Sequence, residues 1–254
     1  MNVDRVVPEA QSVVRYAASV YQKYTRPWFI GLAVHGSAVK GGYIPGCSDI
    51  DFQLYLEDAA YDAWGQLPVD LCLAIHQELS ALDPHPFRYL QCEALSPSRN
   101  YGGLIPNAYQ IVCGTAICPD ATDADVHRRA RDDLQRLVQW RFPVNGLLDH
   151  GDGRLQRQIR WLCTQVWPTL YAVLTMEFMR GTDIWAQTKT EAIQLLPAAS
   201  PLGQAIRSFY QSVSHYYPQE DSLDAALSVI STGITFLELV KTWWSDVGRA
   251  KSLG

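Results

Sequence analysis

The sequence predicts an α+β chain, with a mixed sheet and its helices in the N-terminal part followed by an all-α helical bundle. Three observations carry this. Between residues 29 and 114 the apolar residues fall in short runs of strand length, separated by glycine- and proline-rich turns. From Thr122 onward they recur at steps of three and four, the period of a helix that buries one face. With 254 residues and 48% hydrophobic content, the chain can bury a core in one large domain or two small ones. The change of pattern places the boundary near residue 118, giving a first domain over 1–118 and a second over 119–254.

The elements follow in order. Residues 8–24 place Val13, Val14, Ala17, Val20 and Tyr21 on one helical face, and Thr25-Arg26-Pro27 ends that helix. Phe29 to Val34 is an apolar strand. Ser48 to Leu56 alternates, with Ile50, Phe52, Leu54 and Leu56 on one side and Asp49, Asp51, Gln53 and Tyr55 on the other. Asp58 to Leu82 reads as helix, interrupted or restarted at Pro68, and Asp83-Pro84-His85-Pro86 breaks it. Phe87 to Leu95 is the third strand, with Tyr89, Gln91 and Glu93 on one face, and Tyr109 to Gly114 is the fourth. Thr122-x-x-Asp125 has the form of a capping box and opens a helix over 126–142. Its arginines 128, 129, 131, 136 and 141 alternate with Asp132 and Asp133, as on a solvated face. Residues 149–153 form a loop. Arg154 to Met179 is a long helix that Pro168 kinks or splits, and helices over 202–217 and 223–247 complete the bundle.

The chemistry concentrates between Phe29 and Glu57. Gly36-Ser37 follows the first strand, and a glycine-containing loop (Gly41, Gly42, Gly46) leads to Asp49 and Asp51. A strand projects residues i and i+2 to the same side, so the two carboxylates lie together. Side by side they repel, and a divalent cation relieves that. Mg²⁺ takes one or two carboxylates together with substrate phosphates and waters. Glycine lets backbone N–H groups approach phosphate oxygens, and Ser37 adds a hydroxyl at a short helix start. The set reads as a triphosphate cradle beside a metal-binding carboxylate pair. If the Phe87–Leu95 strand neighbours the aspartate strand, Glu93 completes the acidic cluster, as a third metal ligand or as a base toward a hydroxyl.

Gly36-Ser37, the spacer with Gly41-Gly42, and Ser48-Asp49-Ile50-Asp51 together resemble the signature of the polymerase β-like nucleotidyltransferases. Within that superfamily the chain is most similar to the aminoglycoside adenylyltransferases of the streptomycin/spectinomycin type. The resemblance implies a nucleotidyltransferase domain followed by a helical domain, with the active cleft between them. It implies two Mg²⁺ ions on Asp49, Asp51 and Glu93, with ATP as co-substrate. It gives Gly36, Ser37 and Ser48 to the nucleotide, makes Glu93 the base toward the acceptor hydroxyl, and places Lys189, at the start of a helix, on the nucleotide's phosphates. The acceptor it implies is an aminoglycoside, and the activity would confer antibiotic resistance. A polycationic acceptor calls for acidic and aromatic walls. The pool available is Glu93, Asp149, Asp152, Glu177, Asp183 and tryptophans 161, 167 and 185. The same core chemistry also serves transfer to a protein, an RNA or another metabolite. An antitoxin-like or regulatory nucleotide-binding module is the reading outside catalysis.

Composition narrows the partners. Net charge is −5, from 21 basic and 26 acidic residues, against the basic surface that stable nucleic-acid binding needs. Six scattered cysteines form no Cys-x-x-Cys and suit reduced, mostly buried thiols, with Cys47 accessible in the active loop. No apolar run of bilayer length and no signal-peptide layout is expected, which suits a cytoplasmic enzyme with access to nucleoside triphosphates. Monomer and homodimer remain equally open.

Overall fold

The computed structural model describes residues 1–99, 102–220 and 222–252. The chain divides after Ala121 into two compact units.

The first unit is a four-stranded mixed sheet with helices. Helix α1 (Pro8–Thr25) starts with proline in its first turn, where no intrahelical N–H is lost. Its buried face is Ala10, Val13, Val14, Ala17, Ala18 and Tyr21. Strand β1 (Phe29–His35) runs into the single-turn helix α2 (Ser37–Lys40), and β2 (Ile50–Leu56) returns antiparallel to β1. Helix α3 (Val69–Leu79) carries the chain across so that β3 (Leu90–Leu95) lies parallel to β2. Strand β4 (Tyr109–Gly114) pairs antiparallel with the other side of β1, giving the order β3-β2-β1-β4.

One sheet face presents Leu32, Val34, Ile50, Phe52, Leu54, Leu56 and Val112 to the same apolar cluster as α1. Tyr21 meets Phe52 edge to face at 5.6 Å. Fully burying each such large side chain contributes about 1.5–3 kcal/mol. The opposite face is apolar at one end, where Ala33, Tyr55 and Leu95 are buried with Ile30, Leu104 and Ile111 around them. The alternation of β2 assigns Tyr55 to the polar side, yet this second cluster covers it completely, and its hydroxyl donates to Gln53 Oε1 at 2.8 Å.

Two differences from the expected elements have local reasons. Asp58 to Leu82 is not one helix: residues 58–60 form a 3-10 turn and α3 begins only after Pro68. Between them Asp62 accepts the N–H groups of Trp64 and Gln66, a side-chain turn that competes with helix. β3 begins at Leu90 because Phe87 instead packs its ring against Tyr43, 4.6 Å between centroids. None of the six cysteines is in a disulfide, but only Cys47 and Cys163 are buried, while Cys72 and Cys92 are exposed. Cys47, expected to be accessible, is 3% exposed.

The second unit, from Thr122, is built of helices joined by short loops, with no strand among its described residues. Thr122 and Asp125 form the expected capping box for α4 (Asp123–Gln139), whose inner face is Val126, Ala130, Leu134 and Leu137. Arg128 pairs with Asp125 and Arg136 with Asp133, so these arginines belong to a solvated face. Helix α5 (Arg154–Phe178) is the central helix, buried at Ile159, Leu162, Val166, Leu170 and Leu174. It continues unbroken through Pro168, whose side chain is on the exposed face, where water can meet the carbonyl left without its N–H. Short helices α6 (Gly181–Ala186) and α7 (Lys189–Leu195) lead to α8 (Pro201–Tyr216) and α9 (Leu223–Ser252). A Cβ on Gly233 would stand 2.5 Å from Leu162 Cδ2, so α9 and α5 approach closely there. Lys241, 7% exposed, donates to the carbonyl of Trp140 at 2.7 Å and to Glu238 at 2.6 Å. By length and composition Leu223–Asp246 would pass for a membrane span, which corrects the expectation that no run is long enough. In the fold its inner face (Val229, Phe236, Leu237, Val240) is core.

Candidate active site

The site is built on the polar end of the second sheet face, where β1 ends and β2 begins. Register fixes the row: Tyr109 of β4, His35 of β1, Asp51 of β2 and Gln91 of β3 lie side by side across the sheet. The next row is Ile111, Ala33, Gln53 and Glu93. Paired residues share a face, so Glu93 projects to the same side as Asp51, one residue pair along and on the neighbouring strand.

Gly36 sits at φ 72, ψ −143, a conformation open to glycine alone. The turn it makes aims the start of α2 at the aspartates. A Cβ on Gly36 would stand 3.0 Å from Asp51 Oδ2, so the carboxylate lies directly over the turn. Ser37 is the first residue of α2 and 7% exposed, with no side-chain hydrogen bond among the described residues. The first N–H groups of a helix have no partner within it, and in α2 these are the N–H groups of Ser37 and Ala38. Asp49 is the residue before β2, as expected from the motif, and Asp51 is its second residue.

Ser48 does something else. Its hydroxyl oxygen accepts the N–H of Ile44 at 2.9 Å, its carbonyl accepts the N–H of Arg88 at 2.7 Å, and the residue is 5% exposed. It braces the glycine loop from inside.

His35 was not among the expected residues. It stands opposite Asp51, and burial pushes its imidazole down to about 4, against the pull of the Asp49 charge in the other direction. It is therefore neutral at pH 7. The sequence signal was its phase: it follows Ala33 by two residues, directly before Gly36.

Two hard carboxylates, a glycine cradle and a hydroxyl fit Mg²⁺ held jointly with a triphosphate. Among the described residues no three His, Cys, Asp or Glu side chains are grouped closely enough to hold one ion. Asp49, Asp51 and Glu93 thus do not form a three-carboxylate cage here. Phosphate oxygens and waters would complete the coordination around the aspartate pair. Glu93 is exposed on its strand.

In the helical unit, Lys189 is the first residue of α7, as the motif required. Thr188 caps that helix in a reciprocal box with Glu191, and the Lys189 ammonium stands 5.8 Å from the centroid of the Trp167 ring. The acidic and aromatic pool sorts itself. Asp149 and Asp152 pair with Arg154 and Arg157. Trp161 packs with Trp140 and Phe142, Trp167 with Phe209, and Trp185 stacks on Tyr171. These rings are built into the bundle's packing. Glu177 and Asp183 are exposed.

No family model matches the chain, and no curated protein matches its sequence. Among solved structures, the chain is similar to the spectinomycin adenyltransferase AAD(9) from Enterococcus faecialis, solved with ATP and spectinomycin. Identity is 16% and TM-score 0.48, over 89% of this chain and 98% of the other.

Proposed function

We propose that the protein is a Mg²⁺-dependent nucleotidyltransferase that moves a nucleotidyl group, AMP from ATP, to a hydroxyl of a small cationic acceptor of the aminoglycoside class. The observation that carries this reading is the seat of the Asp51 carboxylate over the Gly36-Ser37 turn, with Asp49 two residues before it on the same strand side.

In this reading the N–H groups at Ser37 and Ala38 and the Ser37 hydroxyl bind the triphosphate's outer oxygens. Asp49 and Asp51 would hold Mg²⁺, which would supply charge neutralisation at the phosphates and lower the pKa of the acceptor hydroxyl. Glu93 accepts the hydroxyl proton as the acceptor oxygen bonds to the α-phosphorus. The bond from that phosphorus to the bridging oxygen breaks, and pyrophosphate leaves with the electron pair. Lys189 offsets phosphate charge with its ammonium. His35, neutral beside the aspartates, adds no positive charge to compete with the cation. A cytoplasmic setting would supply the triphosphate.

The test is pyrophosphate release with Mg²⁺, each of four nucleoside triphosphates and a panel of aminoglycosides. Release that requires one drug and falls at least about 100-fold in Asp51→Asn supports the assignment. Full release by Asp51→Asn removes it. Triphosphate binding without release for any drug moves the acceptor to a protein, an RNA or another metabolite.

A further inference from the structure

We propose that the segment Asn2–Val7 is a strap that positions the Gly36-Ser37 turn, with Arg5 and Gln110 as positioning residues for triphosphate binding. The proposal rests on the nucleotidyltransferase reading. Helix α2 spans only four residues, far below the length at which a helix holds itself. The turn's geometry must therefore come from contacts outside it, and one short segment supplies them on two sides.

On one side the N–H of Val7 donates to the carbonyl of Ala38 at 2.9 Å, inside α2. On the other the contacts run through β4 and the loop before it. The N–H of Asn2 donates to the carbonyl of Val112 at 2.8 Å. Gln110 is a buried amide, 6% exposed, in an otherwise apolar strand. Its Oε1 accepts the N–H of Arg5 at 2.8 Å, and its Nε2 donates to Asn2 Oδ1 at 2.5 Å. The Arg5 guanidinium donates to the carbonyl of Asn107 at 2.9 Å and to its Oδ1 at 3.4 Å. Asn107 has φ 65, and the carbonyl of the next residue, Ala108, accepts the N–H of Gly36 at 2.9 Å. Val3 and Val6, each 2% exposed, anchor the strap in the core. Both ends of the phosphate-facing turn are thus hydrogen-bonded to the strap or to the loop that the strap holds.

A buried amide with both ends occupied by one segment is expensive to leave unpaired, so Gln110→Leu should release the strap. Arg5→Ala removes only exposed contacts and leaves the fold in place. The experiment measures the Kd for Mg²⁺-ATP by calorimetry, the KM for triphosphate and for acceptor, and Tm. Arg5→Ala is expected to raise the Kd and KM for ATP about fivefold, with kcat and acceptor KM within twofold of the unaltered chain. Arg5→Lys, which can keep one hydrogen bond to the Asn107 carbonyl, should recover part of that loss. Gln110→Leu should have the larger effect, and if it does not fold, the Arg5 pair decides. A lowered Tm with unchanged Kd for ATP means that the strap is structural only and overturns the proposal. An unaltered chain that binds no triphosphate overturns the nucleotidyltransferase reading, and the strap's role with it.

Discussion

Replacing Gly36 with alanine tests the site at its narrowest point. At φ 72, ψ −143 an L-residue is strained by about 1–3 kcal/mol. The new Cβ would also meet Asp51 Oδ2 at 3.0 Å, so the carboxylate would have to withdraw by a few tenths of an ångström. Taking about 2 kcal/mol for the backbone, Tm should fall by about 4–8 °C. On the proposed reading binding should suffer more than stability, because the methyl would intrude on the turn and displace the Asp51 carboxylate together. We expect the Kd for Mg²⁺-ATP to rise at least about tenfold and turnover to fall about 100-fold, the usual consequence of small misplacement at a reacting centre. Gly151→Ala is the control. Gly151 also has positive φ, at 81, but nothing lies within 4 Å of its would-be Cβ. It should also strain the backbone, whatever the space, and leave ATP binding unchanged. Calorimetric ATP titration with parallel thermal melts separates the two. If Gly36→Ala binds ATP as the unaltered chain does, the cradle is misassigned. If both variants lose binding equally, the loss reports general destabilisation.

Further expectations follow from the same geometry. Glu93→Gln should lower kcat about 100-fold or more while the Kd for Mg²⁺-ATP stays within twofold, since Glu93 pairs with Gln53 rather than Asp51; rapid-quench turnover with calorimetry checks it. Thr188→Ala removes the cap of α7 and should cost about 1 kcal/mol in urea unfolding. Through the first turn of α7, where Lys189 sits, it should also raise the KM for ATP. Hydrogen bonds from Thr122 and then the Arg128 guanidinium hold the Asp125 carboxyl at about 2, below its ordinary 3.8. The unfolded chain therefore takes up that proton first. The stability Asp125 contributes is complete above about pH 4 and is lost as pH falls toward 2. Acid unfolding of Asp125→Asn followed by circular dichroism should show a shallower fall across that window.

The glycine turn and the strand that carries the paired aspartates were legible because their signals are local. Gly36-Ser37 closes an apolar strand and Asp49/Asp51 open an alternating one, so pattern and chemistry coincide within thirty residues. The cap at Thr122-x-x-Asp125 was legible for the same reason. What was missed depends on partners distant in sequence. Tyr55 looked solvent-facing by alternation, but Leu95 and the residues near 104–117 cover it. Ser48 stands in the motif, and the bracing of the loop by its hydroxyl oxygen, which accepts the N–H of Ile44, was not foreseen. His35 became part of the site only once β1 and β2 were in register. The strap left one faint trace, a lone amide at Gln110 in an apolar strand. Of the helix expected over 58–82, the restart at Pro68 held, while the part before it gave way to a side-chain turn at Asp62, whose effect depends on which loop the chain can close.

The placement of Glu93 has a consequence for how such an enzyme could change its substrate. β3 is an outer strand, bonded on one side only, whereas Asp51 and the Gly36 turn sit on the inner pair β1 and β2. On the proposed reading, donor handling and proton removal would sit on different strands of the sheet, one inner and one outer. Substitutions that slide, shorten or tilt the outer strand would re-aim the base toward a hydroxyl at another height while leaving the triphosphate's seat undisturbed. Acceptor range would then drift by lineage through changes in one replaceable strand, with the energy-supplying half of the reaction inherited intact.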